Sequence, residues 1–74
     1  MSAGVLDNVT YKRGEYDERF RCYFITEYTN GTPTYLYKGY RKGNKITLYP
    51  HKALFTTNAR REKIEKSIFE IGRE

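Results

Sequence analysis

The sequence predicts an α+β fold: a three-stranded antiparallel sheet, four-stranded if an N-terminal edge strand joins it, with one C-terminal helix packed on one face. Three observations predict it. Asn30-Gly31, the preferred pair for a two-residue type I′ turn, sits between stretches rich in Tyr, Phe, Ile and Thr. Gly43-Asn44 marks a second tight turn, since both residue types tolerate positive φ. Past Asn58 the apolar period lengthens, with Ile64, Ile68 and Ile71 at i, i+4 and i+7.

Taken in order, residues 1–14 form an N-terminal arm in which Val9, Thr10 and Tyr11 can add an edge strand before Gly14. Residues 19–49 form the sheet, with strands over 19–29, 32–42 and 45–49, the last closed by Pro50. Residues 58–71 form the helix. Thr56, Thr57 or Asn58 caps its start, Arg61/Glu65, Glu62/Lys66 and Lys66/Glu70 pair opposite charges four apart, and Gly72 stops it. The whole is one small domain, because 74 residues bury only about 60% of the unfolded surface and nothing in the chain repeats or reads as a linker.

The turns set the register. With a two-residue loop at Asn30-Gly31, Phe20, Cys22, Phe24 and Thr26 share a face with Tyr35, Tyr37 and Gly39. With a two-residue loop at Gly43-Asn44, Ile46 and Leu48 join them. That apolar face takes the isoleucine stripe of the helix, and Gly39 marks the close approach of helix and sheet. The opposite face carries Arg19, Arg21, Tyr23, Ile25 and Glu27, then Leu36, Lys38, Tyr40 and Lys42, then Lys45, Thr47 and Tyr49.

Cations interleaved with tyrosines suit a partner whose phosphates are neutralised and whose bases stack, and a net charge of +5 favours an anionic partner overall. The expected binding residues are therefore Arg19, Arg21, Tyr23, Lys38, Tyr40, Lys42, Lys45 and Tyr49. The function expected is nucleic-acid binding, to DNA or RNA. The alternative is an acidic host protein docked on the same surface, since Tyr and Arg also anchor protein interfaces. An exposed Ile25 and Leu36 patch would favour that alternative.

Other chemistry is thinly represented. Cys22 is the one cysteine, which excludes an intrachain disulfide and a cysteine-based zinc site, and a reducing cytoplasm is expected. His51 stands alone, in a loop after Pro50, so no metal and no cofactor are expected. Asn8-Val9-Thr10 and Asn30-Gly31-Thr32 match the glycosylation pattern, but no secretory signal or apolar run long enough to span a membrane accompanies them. An enzyme is not expected: a two-layer domain of this size rarely offers the concave pocket that acid–base catalysis needs. The order strand, strand, strand, helix over residues 19–71, with a basic and aromatic sheet face, resembles the arm-site DNA-binding domains of tyrosine integrases and the plant-type AP2 domains. That resemblance is of architecture, with no motif matched and no site residue carried over, and it implies a sheet laid into the major groove. Size and basicity are also similar to the small early proteins of bacteriophages, some of which act by binding a host protein.

Overall fold

The computed structural model describes residues 8–55 and 61–74, which form one six-stranded mixed sheet with no α-helix among them. In chain order the strands are β1 (Val9–Arg13), β2 (Tyr23–Thr29), β3 (Thr32–Lys42), β4 (Lys45–Ala53), β5 (Ile64–Ser67) and β6 (Ile71–Arg73), with a single 3-10 turn, Ile68–Glu70, between the last two. Across the sheet the order is β5-β4-β3-β2-β1-β6, and every neighbouring pair is antiparallel except β1 with β6. β5 and β6 lie at opposite edges yet are joined by one turn, so the sheet curls into a half-barrel.

The expected three- or four-stranded sheet with a C-terminal helix is thus corrected: residues 64–73 are strand, turn and strand. A lone helix of about 12–15 residues is marginal in water, and its ion pairs add only about 0.2–0.5 kcal/mol each. β4 and β1, by contrast, would each leave an edge of unpaired N–H and C=O groups. β5 covers the first and β6 the second. The isoleucines still face the core, Ile68 and Ile71 buried and Ile64 packed against the core cluster, from two strands and the turn between them. Lys66 and Glu70 do pair, at 3.6 Å, across the turn. Ser67 caps that turn by accepting from the Phe69 N–H, while Thr56, Thr57 and Asn58 lie outside the described residues. Without a helix over the sheet, the architectural likeness to integrase arm-site and AP2 domains lapses.

Both turns form as expected. Asn30 and Gly31 have φ of 53° and 84°, Gly43 has φ of 63°, Thr29 faces Thr32 and Lys42 faces Lys45. The register between β3 and β4 then holds back to Pro50, which brings Tyr35, Tyr37, Gly39, Ile46 and Leu48 together inside. On β2 it fails. Thr34 is a bulge, so Ile25 pairs with Tyr37 and Phe24 with Lys38, and the one-residue shift turns β2 over. A second bulge at His51 carries β4 past Pro50 to Ala53. Each bulged residue follows a proline, whose missing N–H cannot continue the ladder.

Ile25 is consequently fully buried, Tyr23 packs on the core and Glu27 is buried, all three against expectation, while Phe20 is 53% exposed and Phe24 half-buried on the outer face. Gly39 is closed over not by a helix but by its neighbours in the sheet. A Cβ there would stand 2.9 Å from Ile46 Cδ1 and 3.0 Å from Ile25 Cγ1. Ile25→Ala should cost about 2–5 kcal/mol through lost burial and a residual cavity. Phe24→Ala should cost about 0.5–1.5 kcal/mol through lost ring contacts. Thermal melts by circular dichroism separate the two, and a lower melting temperature for Phe24→Ala would restore the unbulged register.

Candidate nucleic-acid interface

The strands of the half-barrel place no arginine on the outer face. The outer face carries lysine: Lys12 on β1, Lys38 and Lys42 on β3, and Lys45 and Lys52 on β4, with Lys63 reaching over Tyr49 from just before β5. Glu65 is the one carboxylate that the described strands place on this side. Aromatic rings stand between the lysines. Phe24, Lys38 and Tyr49 form a single row across β2, β3 and β4, and Tyr40 stands beside Tyr49 with ring centroids 5.6 Å apart, edge to face. Lys38, Tyr40 and Tyr49 enclose a shallow hollow of about 440 Å³ whose lining is mostly apolar. Tyr40 and Tyr49 are 43% and 41% exposed, so their rings are open to a flat partner.

Of the expected binding residues, Lys38, Tyr40, Lys42, Lys45 and Tyr49 are brought together here, because the short Gly43-Asn44 turn holds β3 and β4 in their expected register. The other three are not. Tyr23 points inward, between Tyr16 at 5.3 Å and the Arg13 guanidinium at 5.1 Å, and Arg21 sits beside it in the loop before β2. Arg19 is exposed in that loop, where the Asp17 carboxylate accepts from its backbone N–H and from that of Phe20.

Further rings and cations on the outer face were not among the residues expected from the sequence. Phe20 packs on Phe24 and lies 5.4 Å under the Lys38 ammonium, and Lys12 stands 5.5 Å over Tyr28. His51, expected in a loop, is the bulge residue of β4 and packs against Phe24. Pairing Val9–Arg13 against β2 would have found Lys12; only the β5 pairing reveals Lys63. Cys22 is buried as expected. Burial raises its pKa, with the Lys38 charge and the Tyr40 hydroxyl opposing. Among the described residues no cluster of His, Cys, Asp and Glu is arranged to hold a metal ion, and no helix is long and apolar enough to cross a membrane.

At the inner face, polar groups are structural. The Glu27 carboxylate accepts from Arg61 at 3.1 Å, from Thr34 at 3.0 Å and from the Tyr11 hydroxyl at 3.2 Å, and Arg61 also donates to Tyr37 at 3.0 Å. Burial, then the Glu27 charge, pushes the Tyr11 hydroxyl up from 10.0 to about 12, and burial raises Tyr37 too. A raised folded-state value means a contribution that is complete below pH 10 and lost as pH climbs from 10 toward 12. The melting temperature should therefore fall across that window, and Tyr11→Phe should flatten the fall while leaving the share of Tyr37. An unchanged slope in the phenylalanine variant would show that Tyr11 is not the group that titrates. Comparison with family models, with curated proteins and with solved structures returns no match for this chain.

Proposed function

We propose that the protein is a nucleic-acid-binding module that holds a single strand along its outer sheet face. The observation that carries this reading is the hollow formed by Lys38, Tyr40 and Tyr49 within a field of lysines. Exposed ring faces stack only unpaired bases, and ammonium groups neutralise phosphates without demanding a sequence, which together favour a single strand over a duplex. The patch that would have favoured a protein partner is absent from the surface, since Ile25 is fully buried and Leu36 half-buried. Small size and basic charge suit a regulator encoded by a phage or mobile element and acting in the host cytoplasm, a binding protein rather than an enzyme.

The test is a salt titration with a single-stranded oligonucleotide, a duplex and RNA. Affinity for the single strand should fall with a log–log slope of about −0.7 per phosphate neutralised, and Lys38→Gln with Lys45→Gln should make the slope shallower by about one phosphate each. No binding to any of the three at about 50 mM salt would overturn the proposal. An acidic protein that co-purifies from nuclease-treated lysate, and that the same lysine variants release, would put a protein partner in its place.

A further inference from the structure

Arginine is gathered where lysine is not. At the end of the half-barrel beside the Gly43-Asn44 turn, a cleft of about 480 Å³ is lined by Tyr16, Arg21, Tyr23, Tyr40, Arg41 and Gly43. We infer that this cleft is a second binding site, for one phosphorylated nucleotide, with a base against the tyrosines and its phosphate on Arg21 and Arg41.

The volume is of the size that small-molecule sites take, and a nucleotide fills such a space where a bare phosphate does not. The chemistry is that of a planar anion carrier. Guanidinium presents a rigid fork that binds phosphate through two parallel hydrogen bonds, and tyrosine offers a flat face of low conformational freedom. The cations here have not been spent on carboxylates. Among the described residues, neither Arg21 nor Arg41 has an acidic partner; Arg41 donates from Nε to the Gly43 carbonyl at 2.8 Å, which leaves its terminal nitrogens for a ligand. Arg13 stacks on the back of Tyr23 and adds positive charge behind the ring, while its own Nε is buried with no hydrogen-bond partner.

The backbone is organised around the same spot. Arg21 has φ of 56°, a left-handed conformation that costs a side-chain-bearing residue energy and that glycine adopts freely. It is held there by a small bridge, Asp17 N–H to Cys22 O at 2.8 Å and Cys22 N–H to Asp17 O at 3.2 Å. An arginine kept at a position that suits glycine points to a use for its guanidinium. Tyr40 lines both this cleft and the outer hollow, so the two sites share a rim. A terminal nucleotide of a bound strand and a free nucleotide would present the same chemistry to the cleft.

Arg21→Gly is the decisive variant, because it removes the guanidinium and relieves the backbone at once. Amide chemical shifts of the parent, recorded by NMR, should saturate with a nucleoside 5′-monophosphate at Tyr16, Arg21, Tyr40 and Gly43. Unphosphorylated nucleoside and inorganic phosphate should each bind at least about tenfold more weakly, the loss of one guanidinium–phosphate or one stacking contact. Arg21→Gly should melt at or above the parent temperature and lose about tenfold or more in monophosphate affinity, with Arg41→Gln losing a similar factor. Lys38→Gln and Lys45→Gln should leave that affinity unchanged, which separates this site from the lysine face. A short oligonucleotide that binds more tightly with a 5′-phosphate than without it would make the occupant a strand terminus; a monophosphate that binds while oligonucleotides do not would make it a free nucleotide. No saturable shift up to about millimolar monophosphate, or equal affinity for the nucleoside, would overturn the inference even if the lysine face binds single strands.

Discussion

Glu27→Ala is expected to cost about 3–5 kcal/mol, as much as most of the stability a domain of this size possesses. Its carboxylate side chain is 7% exposed and collects donors from three separate elements: Tyr11 on β1, Thr34 on β3 and Arg61 from the segment before β5. Removal leaves those donors without their acceptor and leaves a guanidinium facing the Tyr35 ring at 4.7 Å. The Arg61 side chain is 30% exposed, so water recovers part of the loss and the lower half of the range is expected. Glu27→Gln keeps the shape and an acceptor, and should cost less, about 1–1.5 kcal/mol, the difference between charged and neutral hydrogen bonds. Denaturant unfolding of both variants, combined with Arg61→Ala in a double-mutant cycle, checks the account. The double variant should cost less than the sum of the singles. Additive costs would show that Glu27 and Arg61 do not stabilise one another.

None of that network was legible in the sequence, since Glu27 and Arg61 are 34 positions apart and nothing local marks them as partners. What was legible followed from the two turns. Asn30-Gly31 and Gly43-Asn44 each impose a local register, and β3 with the first half of β4 obeys it. Tyr35, Tyr37, Ile46 and Leu48 were therefore placed inside and Lys38, Tyr40, Lys42, Lys45 and Tyr49 outside, as they are found. Register fails where a bulge intervenes, and the prolines were the signal for the bulges. Pro33 precedes Thr34 and Pro50 precedes His51, and a proline within a strand, having no N–H for the ladder, is found at bulges as well as at strand ends. Read so, Ile25 and Glu27 turn inward and Phe24 outward. The C-terminal segment is a different failure. Ile64, Ile68 and Ile71 satisfy a helical spacing, and the same three face the core when two short strands flank a 3-10 turn. Periodicity cannot separate those cases. Two open sheet edges decide between them, and those edges exist only once the rest of the fold is built.

On the outer face the largest expected effect is that of replacing Tyr40 and Tyr49 together. Each ring that stacks a base contributes about 1–3 kcal/mol, a factor of about 5 to 150 in affinity for a single strand. If each held its own base, the double Tyr40→Ala and Tyr49→Ala variant would lose up to about 10⁴-fold. The rings are 5.6 Å apart and meet edge to face, which is too close for independent stacking of two bases, so the double variant should fall short of the product of the singles. Folding should survive, because both side chains are more than two-fifths exposed and the lost ring pair is worth about 0.5–1.5 kcal/mol. The matching double substitution to phenylalanine keeps both ring faces and removes both hydroxyls. It should bind oligonucleotide within about twofold of the parent, since stacking is indifferent to the hydroxyl. Fluorescence anisotropy with a short labelled single strand, at one fixed salt concentration, measures the parent, the single and double tyrosine variants and Lys38→Gln. If the phenylalanine variant loses as much as the alanine variant, hydroxyl hydrogen bonds hold the ligand and the rings do not stack. If neither loses affinity while Lys38→Gln does, the face binds phosphate alone and makes no contact with bases.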